Sequence, residues 1–442
     1  MSHATLGWFG IVRLGLVQTA LGAIVVLTTS TINRVMVVEL MLPAMLPGAL
    51  VALHYGLQIM RPRWGYGSDK GGRRTPWIVG GMAVLALGGL MAAAATAWMA
   101  SNTVGGIALA TLAFVLIGGG VGASGTALLT LLATNVAPER RAAAATTVWL
   151  MMIAGFVVTA TVAGHFLDPF SFTRLVVVSG CVSLAAFLLT LVAIAGIEGR
   201  SRPATAAERP RADASFREAL ANVWGEPAAR RFAIFVFVSM LAYSAQDLIL
   251  EPFAGTVFGL TPGESTKLAG VQHGGVFVGM LIVGIVGSWL RSRRIGSLYT
   301  WIVGGCIASA LAITNIAVGG LIGGNWPLQP SIFILGVANG CFAVAAIGSM
   351  MSLATAGQGA REGVRMGLWG AAQAVAFGLG GFLGTAAIDV ARLFIESPAA
   401  AYATVFLCEA LLFLVAAHLA VGLTRRQDAD LRNTQLSVSA AG

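Results

Sequence analysis

Roughly a dozen apolar runs of about 20 residues divide this 442-residue chain, and they leave it few choices of fold. A run of that length crosses the hydrocarbon core of a bilayer as an α-helix. The chain is 57% hydrophobic and 10% charged, with a mean hydropathy of +0.84. That is more apolar surface than a soluble domain of this size can bury, so lipid is the expected solvent for most of it. Only helices and closed barrels satisfy their own backbone in lipid, and runs this long favour helices.

The runs predict helices near 9–38, 42–61, 76–99, 104–134, 142–166 and 173–197. After a polar stretch they resume near 231–256, 265–290, 296–322, 330–355, 365–391 and 398–423. All but five of the 27 Lys and Arg fall in the 2–3, 4–5, 6–7, 8–9 and 10–11 connections and the C-terminal tail. The exceptions are Arg13, Arg34, Arg174, Lys267 and Arg392. By the positive-inside rule, the basic connections and both termini are cytoplasmic. The expected fold is an all-α integral membrane protein with twelve transmembrane helices in two six-helix halves. Residues 1–198 form the first half, 199–230 a basic cytoplasmic linker, 231–424 the second half and 425–442 a cytoplasmic tail. No basic segment precedes the first run, which reads as a retained helix.

A net charge of +9 would suggest nucleic acid for a soluble chain. Here topology accounts for the cations, and no nucleic-acid partner is expected. Cys181, Cys306, Cys341 and Cys408 are scattered singly, without metal-ligand spacing, and read as small packing residues.

An internal repeat supports two halves in parallel orientation. Leu132–Thr134 recurs as Leu353–Thr355, and Arg140 recurs as Arg361 at the same offset. Trp149 and Trp369 follow at nearly that offset. Near the ends of the first and seventh runs, Asn33, Arg34 and Glu39 parallel Gln246, Asp247 and Glu251. The abundant glycines, as in "IGGGVGASG" at 117–125, suit close helix packing in lipid and also the bending of rocking halves.

The stretch "GYGSDKGGRR", 65–74, concentrates charge between the second and third runs. Its glycines permit a tight reversal, and Thr75 with Pro76 reads as a cap and first turn for the next helix. It fits G-x-x-x-D-[RK]-x-G-R-[RK] at Gly65, Asp69, Lys70, Gly72, Arg73 and Arg74. In pattern and place it resembles the helix 2–3 loop signature of the major facilitator superfamily. Asp69 can accept charge-assisted hydrogen bonds from arginines or from a helix N-terminus across the seam, so this loop is a candidate conformational latch.

A narrower resemblance rests on "TINRVMVVELMLPAMLPGALVALHY" (31–55), "RPRWGYGSDKGGRRTPWIVGG" (61–81) and "QDLILEPFAGTVFGL" (246–260). These stretches look like the bacteriochlorophyll delivery family, the group of PucC and LhaA, and in detail like its branch named for a bacteriochlorophyll synthase chain. The resemblance implies a multi-pass protein of the bacterial inner, photosynthetic membrane. It implies bacteriochlorophyll or a late precursor as cargo rather than as a tightly bound cofactor. The implied partners are light-harvesting or reaction-centre polypeptides and pigment-biosynthesis enzymes.

Polar residues inside apolar runs are costly unless paired, and they mark candidate sites. Here they are Gln18, Glu39, His54, Asp247, Glu251, His273 and Glu409. Arg34, Glu39, Asp247 and Glu251 form a candidate outer gate or coupling group, with Arg34 and Asp247 placed to pair across the repeat axis. His54 and His273 are candidate axial ligands for a magnesium pigment. Glu409 is expected to pair locally.

No catalytic residue and no bound metal is expected. A GxGxxG at Gly120, Gly122 and Gly125 lies inside an apolar run without a preceding strand, so it is no dinucleotide motif. HExxH, P-loop, G-x-S-x-G and DDxxD patterns are absent, which argues against intrinsic synthase activity. Three other readings stay open: a non-transporting assembly chaperone, an accessory subunit of a synthase complex, and a proton-coupled exporter of a small solute.

Overall fold

The computed structural model describes residues 6–61, 64, 73–137, 140–198, 224–289, 297–356 and 362–441. The first six helices are α1 (Trp8–Glu39), α2 (Met45–Met60), α3 (Thr75–Met99), α4 (Thr103–Asn135), α5 (Arg141–Leu167) and α6 (Phe172–Ile194). Six more follow among the described residues: α7 (Pro227–Phe258), α8 (Pro262–Trp289), α9 (Leu298–Ile322), α10 (Leu328–Ala356), α11 (Glu362–Phe394) and α12 (Pro398–Ala441). Eleven of them are long and apolar enough to cross a membrane; α2 is apolar but shorter within its described residues. Among the described residues there is no strand. The linker lies mostly outside the described residues.

The outer surface of the bundle makes sense only in lipid. Phe394, Leu393, Val192 and Leu311 are 83%, 78%, 73% and 67% exposed. In water such surface would drive aggregation; against acyl chains it costs nothing. Buried side chains form one main cluster from 229–420 and another from 11–194 with Leu248. The packing of the first half recurs in the second with six added to each helix number. Thus α1 packs on α5 and α7 on α11, α3 packs on α4 and α6, and α9 packs on α10 and α12. The halves meet chiefly where α5 packs on α8 and α2 on α11, a pairing that the same exchange maps onto itself.

We call the face with the basic connections inner and the opposite face outer. On the inner face, α3 is capped from a distance. Glu198, beyond the end of α6, accepts the backbone N–H of Arg74 at 2.7 Å and of Thr75 at 2.7 Å, plus the Thr75 hydroxyl at 2.7 Å. Thr75 therefore donates to a carboxylate instead of capping its own helix, as its sequence position suggests. Burial pushes the Glu198 carboxyl up, but these hydrogen bonds and the Arg74 charge outweigh it and hold it below the usual value. A depressed acid stabilises the fold above its ordinary pKa and loses that contribution as pH falls through its lowered value. Glu198 is partly exposed, so Glu198→Gln should cost only about 0.5–1 kcal/mol at pH 7. The difference from the parent protein should fade below about pH 4 in thermal melts.

Candidate functional site

The site begins with a flaw in α7. Pro252 sits inside that helix and has no N–H, so the carbonyl of Leu248 four residues earlier loses its helical partner. Asn33 Nδ2 donates to that carbonyl at 2.6 Å from the facing helix α1. Both groups are buried. One half thus supplies the donor that the other half's proline removed, and "NRVMVVEL" meets "QDLILEPF" at this bond. Asn33→Leu leaves a buried carbonyl unsatisfied and should lower stability by about 1–3 kcal/mol. In a Pro252→Ala background the helix recovers its own donor, so the same substitution should cost clearly less. Equal costs in a double-mutant cycle of thermal stability would remove this explanation.

Two π-helical turns, Leu27–Thr31 and Val35–Glu39, flank Ile32–Arg34 in α1. Such widened turns reposition side chains and recur at functional sites. The second turn brings Glu39, five residues on, back over Arg34, and the two form an ion pair. Arg34 also donates to the Leu260 carbonyl at 2.6 Å, just past the end of α7. Gly255 makes room: a Cβ there would lie 3.0 Å from the guanidinium. Thr31 and Thr266 share a further hydrogen bond at 2.9 Å.

Two carboxylates close the outer face. Asp168, after α5, accepts the Thr261 hydroxyl at 2.8 Å and the Gly263 N–H at 3.2 Å at the start of α8. Thr261 and Glu264 cap that start reciprocally, so its position is defined. Asp389, near the end of α11, accepts the Ala44 and Met45 N–H groups at 3.0 and 2.7 Å at the start of α2. Each carboxylate sits on the positive end of a helix from the opposite half. The two are 221 residues apart, the offset of the internal repeat. Helix contact beneath them is close: a Cβ on Gly164 would lie 2.6 Å from the Gly263 carbonyl. The hydrogen bonds described between the halves all lie toward this outer face.

Below the seal, a cavity opens between the halves. Its walls and open mouth contain about 1790 Å³ free of protein atoms. The wall is largely apolar, with Leu21, Val121, Trp149, Phe156, Met240, Leu250 and Phe377 among its residues. Polar groups interrupt it at Gln18, Ser30, His54, Gln58, Arg61, Asp247, Glu251, Gln272, His273 and Gln373. Asp247 accepts Gln272 Nε2 at 3.0 Å. The His54 ring contacts Gln58 at 3.2 Å, and the His273 ring lies against Phe156 with centroids 4.9 Å apart. An apolar chamber with a few convergent polar groups is the usual form of a small-molecule site.

The model of the PUCC protein family matches residues 31–428. This chain belongs to that family. It is 55% identical to the bacteriochlorophyll synthase 44.5 kDa chain of Rhodobacter capsulatus, over 96% of this chain and 97% of that one. It is 30% identical to Protein PucC of the same organism, over 94% and 92%. Among solved structures it resembles the nucleoside transporter NupG, with a TM-score of 0.69 and 14% identity over 94% of this chain and 99% of that one. It also resembles the peptide transporter POT, with a TM-score of 0.71 and 17% identity over 96% and 97%. The fold of this PUCC-family chain is therefore the major facilitator fold, and the chain is a multi-pass membrane protein.

Within this PUCC-family fold, the anticipated Arg34–Asp247 pairing is not formed. Arg34 is taken by Glu39 and the end of α7, and Asp247 by Gln272. Asp247 and Glu251 line the cavity together with His54 and His273, whereas Glu39 stands apart at the outer end of α1. Glu409 is buried in α12 and is not among the cavity-lining residues; the expected local pair is not formed, since neither carboxylate oxygen has a hydrogen-bond partner among the described residues. Gly65, Asp69, Lys70 and Gly72 lie outside the described residues. Arg73 is exposed, and Arg74 bonds within its own half, to Thr134 at 3.0 Å. Asp168, Asp389, Glu198 and Arg61 were not among the expected residues. The 221-residue offset linking Asp168 to Asp389 was the available signal for that pair.

Proposed function

We propose that this chain binds bacteriochlorophyll or a late precursor in the cavity between its halves. It delivers the pigment within the bacterial photosynthetic membrane, from biosynthetic enzymes to light-harvesting or reaction-centre polypeptides. The supporting observation is the cavity itself: both halves wall it, and His54 and His273 stand in its lining as possible axial ligands for magnesium. The names of the PUCC-family relatives supply the pigment class. In this reading the protein is a non-catalytic partner, both termini are cytoplasmic, and delivery proceeds by rocking of the halves. The outer clasps hold the conformation described here, and the 65–74 loop latches the inner face in the alternate one.

Titration of the purified protein with a magnesium chlorin tests this. Trp149 lines the cavity, so binding should quench tryptophan fluorescence with a saturable component that Trp149→Phe removes. Unsaturable quenching, unchanged by Trp149→Phe, would count against a pigment in this cavity. The printed name of the Rhodobacter capsulatus relative favours a second reading, an accessory subunit of a synthase. Deletion separates the two: loss of pigment synthesis supports the subunit, and loss of complex assembly with pigment still made supports delivery.

A further inference from the structure

Among the described residues that line the cavity, Arg61 is the one cation. It follows the inner end of α2 and is exposed to the open mouth. Its guanidinium donates to Gln58 Oε1, and Gln58 contacts His54, so a polar strip runs along α2 into the cavity. No ion pair to Arg61 is found among the described residues. The carboxylates of the lining, Asp247 and Glu251, stand on α7, and Asp247 is hydrogen-bonded to Gln272. The chamber is thus bipolar, with acids on one wall and, at the inner mouth, a guanidinium that has no carboxylate partner among the described residues.

A guanidinium presents a planar fork that matches a carboxylate or phosphate, and one without a counter-charge among the described residues at the edge of an apolar site favours an anionic ligand. We infer that the ligand carries an acidic group that Arg61 binds at the inner mouth. Resting on the late-precursor form of the pigment reading above, this makes the ligand a magnesium tetrapyrrole with a free propionic acid, before a prenyl tail is esterified to it. Esterification would remove the charge that Arg61 recognises. An anionic lipid head group offers Arg61 the same chemistry, so the test must separate the two sources.

The experiment uses the full chain in phosphatidylcholine nanodiscs and two ligands that differ by one methyl group. These are a magnesium chlorin with a free propionic acid and its methyl ester, and chlorin fluorescence anisotropy reports binding. The acid should bind about tenfold more tightly than the ester, the scale of one charge-assisted hydrogen bond. Arg61→Gln should abolish that preference while ester binding persists, which also shows that the variant is folded; Arg61→Lys should keep part of it. The preference should survive when phosphatidylglycerol is added to the nanodiscs. Equal binding of acid and ester, or a preference that survives Arg61→Gln, overturns the inference and leaves the pigment reading standing. Loss of the preference to phosphatidylglycerol assigns Arg61 to a lipid head group instead. Binding of neither ligand overturns the pigment reading, and the inference with it.

Discussion

Replacing Asp168 and Asp389 together with alanine is expected to open the cavity to the outer face. Each carboxylate accepts two hydrogen bonds from the start of a helix in the opposite half. Charge-assisted bonds contribute about 1.5–3 kcal/mol each when buried, and less here because both acids are partly exposed. A loss of about 2–3 kcal/mol across both clasps shifts a two-state equilibrium roughly 30- to 150-fold. The readout is a cysteine at Ser30, in the cavity wall, placed in a background without Cys181, Cys306, Cys341 and Cys408. A membrane-impermeant maleimide applied from the outer face should label it at least tenfold faster in the double variant. Either single variant should give a smaller rise, because the other clasp remains. Unchanged labelling in the double variant would mean that apolar packing alone seals that face.

Arg34→Leu is expected to be among the most destabilising single changes at the seam. Arg34 is 2% exposed, and its removal strips partners from Glu39 and from the Leu260 carbonyl at once. Losing the packing of its buried stem and the donor to the Leu260 carbonyl should cost about 2–3 kcal/mol. The melting temperature of the solubilised protein should fall by several degrees. Glu39→Gln should cost only about 1 kcal/mol, because the Glu39 side chain is 32% exposed and water can replace it. A larger loss for Glu39→Gln than for Arg34→Leu would refute this picture of the cluster.

Helix spans and the two-half arrangement of the packing were legible in the order of apolar runs and basic loops, and the facilitator fold in the resemblance carried by the 65–74 stretch. They were legible because lipid imposes length and charge rules that act locally along the chain. Side-chain partnerships were not. Arg34 was expected to reach Asp247 because they occupy matching repeat positions, but a π turn brought Glu39 over it instead. In a regular α-helix, residues five apart do not face each other, so the pattern held no sign of this pair. Pro252 did announce a freed carbonyl at Leu248, yet only the packed fold shows that Asn33 takes it. Asp168 and Asp389 sit beside loops, where an acid reads as an ordinary boundary residue until the repeat offset is applied. Arg61 was counted toward topology, and its place in the cavity lining depends on how α2 packs against α11.

The most direct measurement concerns the cavity and its cargo together. The full chain and an Ala374→Trp variant, which fills the cavity wall, would be purified gently from pigment-making cells at matched membrane levels. Expected is a bacteriochlorophyll species, or its precursor, bound in stoichiometric amount to the parent protein and largely absent from the variant. Pigment missing from the parent, or present equally in both, would contradict a cargo held between the two halves.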